Sequence, residues 1–492
     1  MKNFRGGRLI SRWHALLSSL VLLIAVVEFS LVHPYGDLNV TYFDELADAF
    51  LAGQSYLLRS PPPDMMALPD PWDPAANARF REPAHIPGQR FTGVHDLSLY
   101  QGKLYLQWGP VPAIILIPLH WVVGGDLPMG HLVLMVETIA ALTYVAATLK
   151  LARLAGLPRS RLMSLVTVVL ITLCPVWTFI LDRIAVYETG VFFAQLFMAL
   201  ALLSIVTAFE ERLRHGKDAF GLLAIGSLCL GLVVNCRPNL ALLGLLVPVV
   251  LLIWYRTAPQ RVSWRRFVAA AIALGAPAAL LLACLLGYNA WRFGNILETG
   301  QDWQLWAGDE SVTLHKFSYL SFGRIAPNFW YYFLSPPSFA PDLPIFVRPK
   351  LVEPGSWMGS EMLAAYGHYV NRTSGLFVVE PLAAMALLAP FLLRAAPVRS
   401  GTNMIGWLPL LLLLAGTLAG AALFLAPAAM RYGAEWCMWW IMAGVLVASR
   451  IRVDLRARRN RVGAALFDAA LAGATIWSAW VGLCYLPVWI AA

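Results

Sequence analysis

The side chains with the clearest chemical potential in this sequence are acids and cations that stand where long apolar runs end. They are Asp37, Asp44, Glu45, Asp96, Lys103, Tyr105, Arg183, Glu188 and Arg237. A carboxylate can accept the proton of an attacking hydroxyl group, and Arg, Lys or a divalent cation can stabilise a departing phosphate. The set therefore suits transfer of a group from a phosphate-linked donor. Composition alone does not distinguish this chemistry from that of a transporter.

The composition places these residues in a membrane protein. Of the 492 residues, 59% are hydrophobic and only 13% are charged, and the mean hydropathy is +0.65. Soluble domains have about 45–50% apolar and about 25% charged residues. The difference excludes an ordinary soluble enzyme, a disordered chain and a nucleic-acid-binding domain. It predicts an integral membrane protein with many spans.

Eleven apolar runs predict the membrane spans. They lie at about 15–33, 131–150, 162–181, 190–209, 219–236, 239–255, 266–288, 377–394, 405–427, 436–450 and 463–490. A helix needs about 20 residues to cross the hydrocarbon core. The shorter run at 110–123 is therefore expected to lie in the membrane interface. The predicted fold class is an all-α polytopic membrane protein with about eleven transmembrane helices.

The distribution of Lys and Arg predicts the orientation of these spans. Most of the 37 Lys and Arg residues lie in six short segments on one side, namely 1–14, 150–161, 210–218, 256–266, 394–400 and 450–461. Positively charged loops stay in the cytoplasm. We therefore expect a cytoplasmic N-terminus and a C-terminus outside. The net charge of +9 then reports orientation rather than an acidic partner.

The same topology leaves two large outside segments, at about 34–130 and 289–376. In the first, the stretch Tyr42–Leu58 places apolar residues at helical spacing with acids between them. This pattern predicts an amphipathic helix that lies on the membrane. A single acid or arginine at a span end often only faces water, which is the simpler interpretation of each candidate residue.

The sequence leaves a metal requirement open. The six cysteines have no metal-binding spacing, and we expect them to be free, buried thiols. Paired acids such as Asp44 and Glu45 could hold Mg²⁺ or Mn²⁺. No other cofactor is predicted.

Four local motifs occur in a family-specific order along this topology. They are Phe43–Gly53, Gly102–Pro110, Tyr187–Gly190 and Gly231–Leu240. They resemble, in turn, a first juxtamembrane helix that ends in Gly, a segment leading into the next membrane helix, an acidic second outside loop, and a Gly-rich turn with one cation. Together they resemble the GT-C superfamily of membrane glycosyltransferases. Within it, the chain is similar to the bacterial branch of the protein O-mannosyltransferase and lipid A aminoarabinose transferase families.

The resemblance implies a GT-C-like fold with juxtamembrane helices in its periplasmic loops. Residues 1–290, including the loop 34–130, would form the common transmembrane module. Residues 291–376 would form a second large periplasmic loop, and residues 377–492 the C-terminal transmembrane helices. The protein would lie in the bacterial inner membrane with its site on the periplasmic face.

The resemblance also implies a function. The chain would move a hexosyl or pentosyl group from a polyprenyl-phosphate donor to a protein, lipid or glycan acceptor of the cell envelope. Its partners would be that donor, the acceptor and membrane lipid, with no nucleic acid. The alternatives are a glycan polymerase or ligase of the same membrane and, less favoured, a transporter. A transporter would need an inverted repeat and broken helices.

The resemblance assigns roles to the candidate residues, with the base left open. Asp37 matches the family's catalytic acid by its spacing from Gly53, and the pair Asp44-Glu45 matches it by adjacency. Asp96 is a third candidate if the loop folds back. The other implied roles are positioning of the acceptor or a metal by Glu188, and binding of the donor phosphate by Lys103, Arg183 and Arg237 with Tyr105.

Single alanine substitutions test this assignment. Alanine at Asp37, Asp44, Asp96 and Glu188, one at a time, is expected to abolish sugar transfer at one or two of these positions, because the reaction needs a base. A cell-envelope glycan assay measures the transfer. Four fully active variants would overturn the assignment.

Overall fold

The computed structural model describes most of the chain as helix. The described residues are 17, 19–27, 42–81, 92–124, 129–181, 186–257, 262–305, 320–339, 347–351, 372–395 and 404–486. Asp37 and Arg183 lie outside them, as do both ends of the predicted first span. We call the side that carries the loop 34–130 the outer side.

The helices follow the apolar runs of the sequence. They are α1 (Phe43–Leu51), α2 (Pro63–Met66), α3 (Pro74–Arg81), α4 (Val111–Val123), α5 (Met129–Leu154), α6 (Arg161–Thr172), α7 (Pro175–Ile180), α8 (Val186–His215), α9 (Phe220–Cys236), α10 (Leu246–Arg256), α11 (Trp264–Phe293), α12 (Ile325–Phe329), α13 (Leu376–Val379), α14 (Pro381–Ala384), α15 (Ala389–Ala395), α16 (Met404–Gly420), α17 (Met430–Gly433), α18 (Cys437–Ala457) and α19 (Arg461–Tyr485). A 3₁₀ segment, Pro238–Leu245, precedes α10.

Six of the described helical segments are long and apolar enough to cross a membrane. They are Met129–Leu154, Arg161–Ile180, Val186–His215, Pro238–Arg256, Trp264–Phe293 and Arg461–Tyr485. Shorter apolar helices occur at Val111–Val123, Phe220–Cys236, Pro381–Leu392 and Trp407–Gly420. The helical, multi-pass character is therefore confirmed, whereas the number of eleven spans stays a prediction.

The helices pack into one bundle. Helix α8 packs between α5 and α9, and α9 packs against α11. The C-terminal helices close onto this group, because α18 and α19 contact α6, and α19 also contacts α7. Outward-facing positions are strongly apolar, as at Leu280 (67% exposed) and Ile476 (69% exposed). Such surfaces suit contact with lipid rather than water.

Helix α1 differs from its sequence prediction in length and in what it contacts. It ends at Leu51, and Gly53 then turns the chain with a φ of +76°, a conformation that glycine adopts readily. Its apolar residues Phe43 and Leu46 are fully buried, and the helix packs against α4. The amphipathic pattern therefore buries its apolar face within the protein.

A β-hairpin is the main departure from an all-α fold. Strand β1 (Leu97–Tyr100) pairs antiparallel with β2 (Lys103–Leu106), with Leu97 opposite Leu106. The connecting residues Gln101 and Gly102 both have positive φ, as a two-residue hairpin turn requires. Two further two-residue strand pairings, β3 (Ser338–Phe339) with β4 (Val347–Arg348) and β5 (Lys350–Leu351) with β6 (Arg372–Thr373), occur among the described residues.

The hairpin joins the two large outer loops. Leu305 N–H donates to the Leu97 carbonyl at 2.8 Å, and Ser98 Oγ donates to the Gly300 carbonyl at 2.7 Å. Beyond the hairpin, Gly109 lies directly on the backbone of Asn235, where an added Cβ would stand 1.7 Å from the carbonyl oxygen. Only glycine permits this approach, which brings the chain before α4 against the end of α9.

Candidate functional site

Asp96 is the centre of a buried polar cluster on the outer side. Its side chain is 2% exposed. Its carboxylate accepts hydrogen bonds from the Tyr187 hydroxyl, from Gln304 Nε2 at 2.7 Å and from His95 Nε2 at 3.1 Å. Its φ of +63° is unusual for a residue other than glycine, and its N–H donates to the Leu305 carbonyl at 2.7 Å. Contacts from both outer loops thus fix the carboxylate.

The surroundings of Asp96 keep its side chain ionised. Burial by itself raises the pKa of this carboxyl group. The hydrogen bonds from His95 and Tyr187 and the charge of Arg431 outweigh burial, so the pKa lies below its ordinary value of 3.8. Donors to a carboxylate stabilise its charged form in this way.

Tyr187 connects Asp96 to the other motifs. Its ring lies edge to face with Trp108, with 4.9 Å between centroids, and the Arg431 guanidinium lies 4.4 Å from the same ring. Gly190, one helical turn further along α8, faces the side chain of Arg237. Three of the sequence motifs therefore contact one another in the structure, namely Gly102–Pro110, Tyr187–Gly190 and Gly231–Leu240.

Arg237 forms a buried ion pair that sequence reasoning did not find. Its Nε donates to Glu435 Oε1 at 2.7 Å, and Nη2 donates to the same oxygen. Asn239 Nδ2 donates to Glu435 Oε2 at 2.5 Å. Arg237 is 7% exposed and Glu435 is 0% exposed. A carboxylate thus compensates the Arg237 charge before any ligand is considered.

Arg292, in the last turn of α11, is a buried cation of a different kind. It is 3% exposed and forms no ion pair with an acid among the described residues; Glu298 acts on it only at longer range. Its donors reach the Leu106 carbonyl at 2.6 Å and Asn289 Oδ1 at 2.5 Å, while Nε has no hydrogen-bond partner. The guanidinium lies 4.1 Å from the Tyr288 ring, a cation–π arrangement.

The first-loop acids are paired but more accessible than Asp96. Asp44 Oδ1 lies 2.9 Å from His120 Nε2, and its side chain is 20% exposed. Glu45 Oε2 lies 2.9 Å from Arg59 Nε, and its side chain is 16% exposed. The Tyr42 hydroxyl donates to the His95 carbonyl at 2.9 Å. Helix α1 and the segment before Asp96 are therefore neighbours.

Lys103 and Tyr105 lie on strand β2 of the hairpin. Lys103 is exposed, and its Nζ lies 3.9 Å from the Tyr56 ring centroid. Tyr105 is buried, which raises the pKa of its hydroxyl group, and its ring lies 5.1 Å from that of Phe293. Tyr105 is therefore beside Arg292, whereas Lys103 points to the surface.

Glu188 lies in the first turn of α8 and is 6% exposed. Within the described parts of the chain, no group of three or more His, Cys, Asp and Glu side chains is placed to share a metal ion. These residues alone therefore do not build a metal centre, and the role of Mg²⁺ or Mn²⁺ stays a prediction.

An apolar cavity of about 140 Å³ begins about one helical turn inward from the Arg237–Glu435 pair. Leu243 and Trp439, four residues after Asn239 and Glu435, are among its lining residues. The cavity lies between α5, α8, α9, α10, α11, α16 and α18 and is lined by apolar side chains. Its lining suits a hydrocarbon chain.

Several residues of the site carry no local signal in the sequence. His95, Gln304, His120 and Arg59 become partners of predicted acids only through the fold. Arg292, Arg431 and Glu435 are visible as charges beside predicted spans. Their burial distinguishes them from ordinary surface charges, and it depends on contacts between segments that are distant in the sequence.

Comparison with known proteins gives structural similarities only. No family model and no curated protein matches the chain. Its structure is similar to the Archaeoglobus fulgidus oligosaccharyltransferase, in the apo form (14% identity, TM-score 0.44) and as AglB in complex with an inhibitory peptide and a dolichol-phosphate (12% identity, TM-score 0.46).

A third similar structure is that of the same enzyme tethered to an acceptor peptide (12% identity, TM-score 0.40). The matches cover 95–96% of this chain but only 55–56% of the matched chains. This chain thus spans about half the length of that enzyme. With TM-scores below 0.5, these similarities carry no argument about activity.

Because the pKa of Asp96 is lowered in the folded protein, the free energy of unfolding should depend on pH. A carboxyl group whose pKa is lower in the folded than in the unfolded state stabilises the fold above its unfolded-state pKa, about 3.9. That contribution is lost as the pH falls through the folded-state pKa. We expect Asp96→Asn to lower the free energy of unfolding by about 2–3 kcal/mol at pH 7, with a smaller difference below about pH 4.

Thermal unfolding of the detergent-solubilised protein between pH 7 and pH 3 measures this difference. Asp44→Asn, at a more exposed acid, is the matched control and should give a smaller difference. A loss for Asp96→Asn that is the same at every pH would show that the charge of Asp96 does not stabilise the fold.

Proposed function

We propose that this chain is a membrane glycosyltransferase. It moves a sugar from a polyprenyl-phosphate donor to an acceptor of the cell envelope on the periplasmic face of the bacterial inner membrane. The observation that carries the proposal is a buried arginine on the outer side, Arg292, which forms no ion pair within the described parts of the chain. An apolar cavity begins one turn inward from the Arg237–Glu435 pair.

The apolar cavity supports a lipid-linked donor. A polyprenyl tail is apolar and lies in the membrane, so the phosphate that it carries has to be bound at the ends of the membrane helices. The segment from Leu106 to Gly109 runs between the two relevant places: Arg292 contacts Leu106, and Gly109 contacts Asn235. Three residues of extended chain span about 10 Å. A donor with its phosphate near Arg292 would extend its long tail past this segment and the Arg237–Glu435 pair to enter the cavity.

Arg292 is the preferred ligand of the donor phosphate. A guanidinium donates to phosphate oxygens in a fixed fork, and Arg292 keeps an Nε without a partner. Arg237 is less suited because Glu435 already neutralises it. Arg237 stabilises the site instead, and Tyr105 lies beside Arg292. Lys103 is exposed at the hairpin. Its side chain would contact the donor only after it rotates away from the Tyr56 ring.

Asp44, or else Asp37, is the proposed base. Asp44 is accessible, whereas the oxygens of Asp96 accept three hydrogen bonds and are buried. Asp96 therefore acts as a positioning residue that holds Tyr187 and the hairpin. Helix α1 connects Asp44 to the surroundings of Arg292, because Phe50, about 9 Å further along the helix, has its ring 5.9 Å from that of Tyr288, and Arg292 lies over the Tyr288 ring.

The reaction follows from these positions. The acceptor hydroxyl attacks the anomeric carbon from the side opposite the phosphate, its proton passes to the Asp44 or Asp37 carboxylate, and the phosphate leaves towards Arg292. A single displacement of this kind inverts the anomeric carbon. Glu188 keeps its predicted role of positioning the acceptor. A protein, a lipid or a glycan could supply the hydroxyl group.

Turnover of a synthetic polyprenyl-phosphate sugar by the purified protein in lipid vesicles tests the proposal. We expect release of polyprenyl phosphate, and a loss of about 100-fold or more in rate for Arg292→Gln, because removing one charge-stabilising donor commonly costs this much. Thermal unfolding checks that the variant is folded.

The matched control is Arg212→Gln. Arg212 is also buried and also stacks on an aromatic ring, with 3.6 Å to the Trp254 centroid, but it pairs with Asp218 at the other end of α8. This variant should keep the parent rate. Equal losses for both variants, or no turnover by the parent protein, would contradict the proposal. Movement of intact donor across the vesicle membrane would favour the transporter.

A further inference from the structure

Two cysteines from distant parts of the chain meet in the interior. Cys174 Sγ lies 4.0 Å from Cys437 Sγ, although the residues are 263 positions apart in sequence. Both side chains are 0% exposed. The contact therefore links the N-terminal module to the C-terminal helices.

Both cysteines are free thiols in this structure, and their sulfur atoms are in contact without being bonded. Cys174 immediately precedes α7 and Cys437 is the first residue of α18, so each thiol extends from the start of a helix. A disulfide bond is about 2.05 Å long, and its Cβ atoms are about 3.5–4.5 Å apart. Rotation of the two side chains about their Cα–Cβ bonds is the kind of movement that would close the remaining gap.

Neighbouring hydrogen bonds hold the two helix starts together. The carbonyl of Ala434 accepts a hydrogen bond from Gln195 Nε2 at 2.8 Å and from Trp177 Nε1 at 3.4 Å. Trp177 belongs to α7, and Ala434 lies three residues before Cys437. The approach of the two thiols is thus fixed by contacts other than their own.

We propose that Cys174 and Cys437 form an intramolecular disulfide in the mature protein. The bond ties α7 to the start of α18, two residues after Glu435, and so holds the segment that carries Arg431 and Glu435. The inference rests on the outward orientation in the proposed function, because the outer side then folds in an oxidising compartment. It does not rest on the transfer chemistry.

The bond forms by thiol–disulfide exchange with a disulfide oxidant. One protein thiolate attacks the oxidant, forming a mixed disulfide and releasing one oxidant thiol. The second protein thiolate attacks the mixed disulfide, forms the Cys174–Cys437 bond and releases the other oxidant thiol. The two protons of the protein thiols pass to the released thiolates, so the protein loses two electrons and the oxidant gains two.

The exchange has to precede final packing. Both thiols are fully buried in the folded chain, so a disulfide oxidant or a reductant cannot reach them there. Once formed, the disulfide should therefore resist reductant until the protein is unfolded.

Counting thiols tests the proposal. Cells that make the protein are quenched in acid, and the denatured protein is alkylated with a maleimide mass tag before or after reduction. We expect two of the six cysteines to be tagged only after reduction, and a cross-linked peptide that contains Cys174 and Cys437. Tagging of all six without reductant would overturn the proposal.

Serine variants identify the pair. Cys174→Ser and Cys437→Ser should each abolish the reductant-dependent tags, whereas Cys236→Ser, at another buried thiol, should retain both. Retention of two protected thiols in Cys174→Ser would also overturn the proposal. The thiol count does not depend on sugar turnover, so failure of the transferase assay and failure of this inference are separate results.

Discussion

The buried ion pair of Arg237 and Glu435 is the interaction on which the arrangement of the outer side depends. A charge removed from water in an apolar protein is costly unless it is paired and hydrogen-bonded. Arg237 directly follows α9, and Glu435 lies 198 residues later, before α18. Each residue makes the burial of the other tolerable, so the pair requires the two halves of the bundle to be in contact.

Other parts of the site are built around this pair. Gly190 and Gly109 lie against Arg237 and Asn235 because neither has a side chain to keep the segments apart. The same approach sets Trp108 against Tyr187, which donates to Asp96. Asp96 in turn fixes the hairpin and the second outer loop. A chain of contacts thus runs from the membrane helices to the acids and arginines of the proposed site.

The sequence predicted the helices better than it predicted their partners. Apolar runs predicted the long helices and the break at Arg237, because local composition and backbone preference determine these features. The family resemblance implied the glycine that ends α1. The sequence did not predict the hairpin, whose strands are only four residues long, or the shorter length of α1. The sequence also could not pair Arg237 with Glu435 or Asp96 with Gln304, since these contacts join segments about 200 residues apart.

The most direct test of this account is a double-mutant cycle on Arg237 and Glu435, measured as the free energy of unfolding in mixed micelles. Arg237→Met and Glu435→Gln should each cost about 3–5 kcal/mol, because each leaves a buried partner unpaired. The double variant should cost much less than the sum, because no unpaired charge remains. Small, additive losses would contradict the central role of the pair.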